Sequence, residues 1–563
     1  MKSVKIIIRI CKKTSLSRLY NSSFILILLL SISCKDSNTI NSINNSKLYS
    51  NNALQFDGID DKVDLFLKPI TDTWTLSVWV KGNDSLWNPN EAIISNGWAT
   101  IKAWEQTPLS IKNGYPTVGD SLKATYKLDA EWHHLAVVNN GIENTLYIDG
   151  EIAAKGRGGK GICPSFIGAN DSDSFFNGSI DELRIWNIAV DQNTIKKWMY
   201  SPLKKNHKNY SNLLACFGFD DEALDATDIS GRFHGDIKKQ YSSTATSNTP
   251  VYIRNFNSAF KGQYMASDYI SLPKDKSVFE GLNNSQDDNI LKVLSWNIWH
   301  GGVENGEELG RQRIIDIIKA STADVILMIE TYGAANLIAE QLGFYHYTLG
   351  DKDNLAIFSR YPIVAQYPSN FKGFYSIGAK IKMPNNKEVI VWDVWLRYAL
   401  PDYTMEINDP NYTVKEMIDG DMNYAVSDLN AILEKDLSVY ATDKNTPVIF
   451  GGDFNSCSHL DWTKGTAEAG LHYNKEVDFP VSKIMMQQGY KDSFRELYPD
   501  PVKYIGKTWS PLYNYCDDFR IDFIYYKGPK VMPIDSRVID QHPDQDQMFP
   551  SDHAGVLSVF EIN

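Results

Sequence analysis

At about residue 290 the chain changes its period, and that change limits its fold more than any other feature. From about 51 to 240 it runs in short alternating stretches such as TLSVWVK (75–81), HHLAVV (133–138), TLYIDG (145–150) and DELRIW (181–186). Glycine- and asparagine-rich turns separate them, which is the pattern of an antiparallel sandwich. From Ile290 onward, strand-like runs alternate with amphipathic helices. LKVLSWNI reads as a strand, EELGRQRIIDIIKAS as a helix with Ile314, Ile317 and Ile318 on one face, and DVILMIE as a buried strand ending in a carboxylate. In the same way MNYAVSDLNAILEK reads as a helix that aligns Met422, Val426, Leu429 and Leu433. A single core does not serve both periods. With 563 residues, 43% of them hydrophobic and 12% aromatic, the chain has material for separate cores. The expectation is an N-terminal all-β sandwich at 51–240, a polar seam at 241–284 and a layered α/β domain at 285–563.

The first fifty residues belong to neither pattern. Lys2, Lys5, Arg9, Lys12, Lys13 and Arg18 precede the apolar run FILILLLSIS, which is too short to cross a bilayer and, with its basic flank, reads as an export signal. The stretch LLLSISCKDS resembles a bacterial lipoprotein signal, with Ser31 where Leu is usual. That resemblance implies a signal peptide at 1–33 and lipidation of Cys34, hence a membrane anchor in the bacterial cell envelope, with Lys35-Asp36 compatible with the outer membrane. An ordinary secretory signal with an incidental cysteine is the alternative. Residues 34–50, rich in Asn and Ser, read as a flexible tether. Export would place Cys163 with Cys216, and Cys457 with Cys516, in an oxidising setting, where each pair is either a disulfide or two buried thiols.

The C-terminal region places polar groups at the ends of apolar strands: Asn297, Glu330, Asp393, Asp453, Asn455, Asp522, Asp552 and His553. Any one of them has a plain explanation as a turn former or cap. Together they require several separate strands each to end in a polar group, and in a layered sheet such ends converge on one cleft. Carboxylates, amides and one imidazole supply oxygen ligands for a hard cation, Mg²⁺ before Mn²⁺, whereas the Cys and His spacing of a zinc cage is missing. The formal net charge of −13 points the same way, because a polyanionic substrate would then depend on a local cation.

The ordered motifs LSWNIWHGG, ILMIET, LAIFSRYPI, VIFGGDFNS, RIDFIYY and PSDHAGVLSVF resemble the endonuclease/exonuclease/phosphatase superfamily over about 290–563. The resemblance implies an α/β four-layer sandwich and metal-dependent hydrolysis of phosphate esters. It also implies a role for each matching residue. Glu330 is the principal metal ligand, with Asn297 beside it and Asp552 completing the site. Asp453 orients or deprotonates the attacking water, Asn455 holds a phosphate oxygen, His553 acts at the phosphate, and Asp522 pairs with His553. Arg360 of FSRYPI has a counterpart in many relatives, as a substrate-binding group or a structural ion-pair partner. Where many relatives carry a histidine in a "THL" strand, this chain has VWDVWLRY, with Trp395 at that position. Tryptophan offers one N–H donor and shuttles no proton at neutral pH. Asp393, His300, Arg397 and Tyr398 are the candidates to replace it, and Trp395 is either a core or pocket-wall aromatic or an active donor or stacking surface.

In the N-terminal region ALQFDGIDDKVDL, WTLSVWVK, EWHHLAVV, NTLYIDGE and FFNGSIDELRIWN are similar to the concanavalin-A-like, laminin-G-type jelly roll. The resemblance implies a non-catalytic module for a glycan or surface ligand, and a Ca²⁺ ion near Asp57 and Asp181, which are otherwise turn aspartates. Two functions follow: an exported, metal-dependent phosphoesterase, or a binding and adhesion lipoprotein that keeps the fold but has lost activity through Trp395. No Lys/Arg-rich groove marks a nucleic-acid binder, so small or glycosylated phosphodiesters are preferred over duplex DNA. Trp462, Trp509, Tyr513 and Tyr515 are candidates for lining a sugar or head-group pocket.

Overall fold

The computed structural model describes residues 52–563 apart from 66, 68, 72, 84–86, 97–106, 171–173, 221–235, 240–250, 255–275, 284–286, 351, 401, 403–411, 513–518 and 545–546. The signal, Cys34 and the tether therefore lie outside the described residues, as do Cys516, Tyr513 and Tyr515.

The N-terminal region is a two-sheet antiparallel sandwich. One sheet is built around Trp74–Gly82 and Asn177–Trp186, which pair directly, and the other around Asp61–Asp64, Pro164–Ile167 and Glu91–Asn96. Strand alternation sends Trp74, Leu76, Val78 and Val80 into the core with Leu135, Val137, Ile180 and Phe217. Trp79 faces the other way, donating its indole N–H to the Met199 carbonyl at 2.8 Å. Two boundaries move. Val251–Arg254, expected in the seam, pairs with Asn52–Gln55 at a sheet edge, so the sandwich extends past 240. Val278, Phe279 and Leu282 pack on the helical face of the C-terminal domain, which thus begins before 285. Cys163, Cys216 and Cys457 are buried, and among the described residues no disulfide joins them.

The C-terminal domain is a sandwich of two six-stranded sheets with helices on both outer faces. Its strands are β1 (Ile290–Asn297), β2 (Val325–Ile329), β3 (Tyr345–Tyr347), β4 (Ala356–Ser359), β5 (Ile363–Pro368), β6 (Ser376–Lys382), β7 (Glu388–Trp395), β8 (Val448–Asp453), β9 (Lys491–Asp492), β10 (Asp522–Lys527), β11 (Val531–Ile539) and β12 (Gly555–Ile562). The sheet orders are β3-β4-β2-β1-β12-β11 and β5-β6-β7-β8-β10-β9. Each sheet has a parallel pair at its centre, β1/β2 and β7/β8, followed by an antiparallel neighbour, β12 and β10.

Period-two alternation explains the layers. Leu291 and Val293, Val325 and Leu327, Val389 and Val391, Ile449, and Ile524 meet between the sheets. The intervening residues face the helices: Leu294, Trp296, Ile326 and Met328 pack on α1 (Glu307–Ser321) and α2 (Ala335–Leu342). On the other side Trp392, Phe450 and Tyr525 pack on α4 (Ala425–Ile432) and α5 (Pro480–Gln487). Preceding α4, α3 (Val414–Asn423) starts at a capping box in which Thr413 and Glu416 satisfy each other's backbone N–H. The single helix expected across MNYAVSDLNAILEK is divided at Tyr424, which leaves helical geometry at φ −120°, ψ −80°. Met422, expected on its apolar face, is consequently exposed.

Candidate active site

Alternation also determines where the polar groups go. Asn297, Trp395, Asp453 and Asp522 have the inward parity of the core residues in their strands, but each stands at a strand end, past the last apolar contact. The C-terminal ends of β1, β2, β7 and β8 and the starts of β10 and β12 bring one rim of both sheets together. Two glycines allow this approach. A Cβ on Gly452, at φ +147°, would lie 2.0 Å from the Val394 carbonyl oxygen, and one on Gly451 would lie 2.8 Å from the Leu327 side chain in the facing sheet.

Asn297 links the sheets. Its amide nitrogen lies 3.1 Å from Glu330 Oε1 and 3.2 Å from Asp453 Oδ2. The second Glu330 oxygen accepts the His300 backbone N–H at 2.8 Å. Asp453 Oδ1 accepts the Asn455 backbone N–H at 2.9 Å. The Asn455 amide nitrogen points to the Leu396 carbonyl at 2.8 Å and to Asp453 Oδ2 at 3.2 Å. The donor expected for a phosphate oxygen is thus directed at Asp453 and the backbone. On the other side of Asp453, His553 Nδ1 lies 2.9 Å from Asp522 Oδ2 and its Nε2 lies 3.9 Å from Asp453 Oδ2.

These groups are buried and lie close enough to shift one another's protonation. Burial pushes the Asp453 carboxyl up to about 8, opposed by His553 and reinforced by Asp522. Asp552 is raised to about 6, by burial first, with His553 opposing and Glu330 adding to the rise. Burial disfavours the His553 imidazolium, but the Asp522 and Asp453 carboxylates outweigh it and hold the group well above the usual histidine range. The site is therefore short of positive charge. Buried Asp552 Oδ1, on a carboxylate that feels Glu330, has no hydrogen-bond partner among the described residues; ligand atoms of Asp453, Asp522 and His553 also lie within 4.8 Å of one another, but there His553 is taken up as the ion-pair partner of Asp522. An oxygen-rich donor set with an orphaned buried oxygen fits a hard divalent cation.

Backbone strain gathers at the same rim. Trp299, His300, Glu330, Tyr332 and Asn455 all have positive φ, between 33° and 58°, a conformation that costs a non-glycine residue roughly 1–3 kcal/mol. At Glu330 it turns a carboxylate that strict alternation would send toward the helices back to the cleft.

Four expected site residues fall elsewhere. Arg360 binds Asp324 (Nε to Oδ1, 3.0 Å) and the Ala323 carbonyl. Asp324 precedes β2 whereas Glu330 follows it, so six strand steps, roughly 20 Å, separate Arg360's anchor from the cleft. Arg360 is a structural ion-pair partner and no substrate ligand. Asp57 pairs with Asn177, four residues along its strand from Asp181, so the two aspartates do not share a site; Asp57 instead gathers with Asp60 and Asp61. Trp462 is a core residue stacked on His472 at 4.6 Å. Of the four suggested replacements for the missing imidazole, Asp393 is completely buried between the sheets, and neither of its oxygens accepts a well-formed hydrogen bond from the described residues, the Val394 and Met328 backbone groups lying near it. Arg397 is committed to Asp428, with Nε and Nη2 contacts of 2.8 and 2.7 Å. Tyr398 lines the cleft, and His300 pairs with Glu304 at 2.7 Å beside it.

Thr508 was missed as a site residue, whereas its neighbour Trp509 was expected as a pocket wall. Thr508 Oγ1 accepts the backbone N–H groups of Ile521 and Asp522 at 3.0 and 3.1 Å, and its carbonyl accepts from Ala554. Trp509 lines the cleft, and its side chain hydrogen-bonds Asp552. The pair thus connects the segment carrying Asp522 to the segment carrying Asp552 and His553. Its signal in the sequence, the isolated TWSP, has no period from which a role could be read.

Comparison with known proteins agrees with this arrangement. Residues 294–553 match the model of the endonuclease/exonuclease/phosphatase family, and residues 57–196 that of the concanavalin A-like lectin/glucanases superfamily. An uncharacterized protein of Caenorhabditis elegans is 26% identical over 296 residues, covering 48% of this chain and 91% of its own. Among solved structures, an endonuclease/exonuclease/phosphatase from Beutenbergia cavernae is 17% identical (TM-score 0.33; 49% of this chain, 72% of that one). Truncated TDP2 of C. elegans is also 17% identical (TM-score 0.32; 48% and 98%). A putative carbohydrate binding protein from Bacteroides ovatus is 18% identical (TM-score 0.29; 37% and 60%). Residues 294–553 therefore form a domain of the endonuclease/exonuclease/phosphatase family, preceded at 57–196 by one of the concanavalin A-like superfamily.

Proposed function

We propose that the C-terminal domain hydrolyses phosphate esters by metal-assisted attack of water, and that the sandwich holds a glycan or surface ligand. The observation that carries the reading is the continuous hydrogen-bonded set Glu330–Asn297–Asp453, with His553–Asp522 beside Asp453. Glu330, Asn297 and Asp552 would hold Mg²⁺ or Mn²⁺, which when bound supplies charge stabilisation for the phosphoryl oxygens. Asp453, fixed on three sides by Asn297, the Asn455 backbone and the Asn455 amide, orients the water and takes its proton as the new P–O bond forms. Asp522 fixes His553 through Nδ1, leaving Nε2 to face the cleft as a donor to a phosphoryl oxygen while the ester P–O bond breaks. The Trp395 indole N–H is too weak an acid to protonate the departing oxygen at neutral pH, so that oxygen leaves as the anion and takes its proton from solvent.

Hydrolysis of bis-p-nitrophenyl phosphate by the mature chain, with Mg²⁺, Mn²⁺ or a chelator, tests this. The expected result is metal-dependent turnover that falls about 10²- to 10⁴-fold in Asp453→Ala and in His553→Ala. If neither substitution slows it, the assignment is wrong; if the wild type shows none with either metal, the binding lipoprotein is the better reading. Export and anchoring rest on residues 1–34. Fatty-acid labelling in bacterial cells should be lost in Cys34→Ala, and unchanged labelling would dismiss the anchor.

A further inference from the structure

Next to the catalytic groups stands a wall of aromatic rings with no place in the chemistry just described. Trp395, the strand partner of Asp453, stacks on Tyr375 at 5.8 Å and 11°, and meets Phe374 and Tyr398 edge-on at 5.6 and 6.4 Å. Phe374 is 46% exposed and Tyr398 44%, and Trp395 and Tyr398 line the same cleft as Asp453 and His553. The Trp395 indole N–H has no hydrogen-bond partner among the described residues.

The wall is built before any ligand arrives. The Trp395 backbone N–H donates to the Tyr375 carbonyl at 3.1 Å, and the Asn354 amide to the Phe374 carbonyl at 3.0 Å. Arg397 lies 5.9 Å from the Tyr375 ring centre and 5.5 Å from that of Tyr424, while buried Asp428 takes up its charge. That pairing matters for substrate. The described residues that line the cleft include His553 but no Lys or Arg, so beyond the metal site a second phosphate would find no cation of its own. The cleft holds about 220 Å³, less than the roughly 300–1,000 Å³ of a pocket for a drug-sized ligand. It suits a phosphate with one ring.

We infer that the Phe374–Trp395–Tyr398 wall is the subsite for an uncharged ring esterified to a single phosphate, the ring stacking on the aromatic faces. The inference rests on the phosphoesterase reading for the position of the phosphate, and it names the group that the reading leaves open. Sugar and aryl rings share this chemistry, because both present a flat apolar face; stacking on an aromatic side chain strengthens binding about fivefold or more.

Calorimetric titration of the mature chain with Mg²⁺ present tests it without recourse to turnover. Glycerol 3-phosphate, glucose 1-phosphate, phenyl phosphate and glucose 1,6-bisphosphate are the probes. Glucose 1-phosphate, phenyl phosphate or both should bind at least fivefold more tightly than glycerol 3-phosphate, and which of them does so identifies the ring. Glucose 1,6-bisphosphate should bind no more tightly than glucose 1-phosphate. The ring advantage should shrink below twofold in Phe374→Ala and Tyr398→Ala, both of which alter exposed side chains, with melting temperature as the control for folding. Equal affinity for the acyclic and cyclic esters, or an advantage that survives both substitutions, overturns the inference. Loss of phosphate binding altogether would instead fail the phosphoesterase reading.

Discussion

A carboxylate as buried as Asp453 keeps its charge only while positive charge stands beside it, and among the described residues His553 supplies it. Asp393 has no such neighbour. Burial holds its carboxyl well above the ordinary value, partly offset by the Val394 and Met328 backbone groups. The folded chain therefore binds a proton there that the unfolded chain releases above about pH 4, and stability falls as pH rises from that value. Asp393→Val should stabilise the domain by about 1–3 kcal/mol at pH 7. The gain should shrink as pH falls toward 4, where the unfolded chain begins to take up the same proton. Chemical denaturation at the two pH values measures this, and an equal gain at both would mean that the proton is not the cause. Trp395 leads to a kinetic expectation. Without a proton donor for the departing oxygen, turnover of a series of aryl phosphodiesters should depend steeply on leaving-group acidity, and a flat dependence would reveal a donor elsewhere.

Among elements, the join between the loop after β8 and the start of β10 carries the most consequence. Asp461 in that loop accepts from Arg495 Nε at 2.6 Å and from Arg520 Nε and Nη2 at 2.9 and 3.0 Å, and Arg520 also reaches Asp492 at 2.7 Å. All four are buried. Arg520 lies two residues before Asp522, so this cluster sets how β10 presents the partner of His553. Removing the cation leaves buried carboxylates uncompensated, and Arg520→Met should cost about 3–5 kcal/mol by denaturant unfolding. Thr508→Val, which leaves two buried N–H groups without an acceptor, should cost about 1–3 kcal/mol and lower turnover as Asp522 shifts. Unchanged turnover in Thr508→Val would show that β10 is held in place without it.

For the whole molecule, a chelator should lower the melting temperature as well as turnover, because the cation offsets carboxylates brought together only on folding, and added Mg²⁺ should restore both. Much of this cleft was legible in the sequence because its groups sit at strand ends: alternation carries Asn297, Asp453 and Asp522 inward, and the apolar run stops where they begin. Arg360 was not, since FSRYPI tells which strand it follows but not at which end of the neighbouring strand it lands. Phe374 and Tyr375 lie in a turn and Asp60 beside a short strand, where no period signals convergence. VYIR read as part of a seam because four residues are too few to show which sheet they join. Those four residues also determine how the sandwich bears load. Asn52 and Arg254 are directly opposed at one end of an antiparallel edge pair, so tension between residues 52 and 254 would open that pair like a zipper, one contact at a time. The rest of the sandwich would carry no force until the pair had parted.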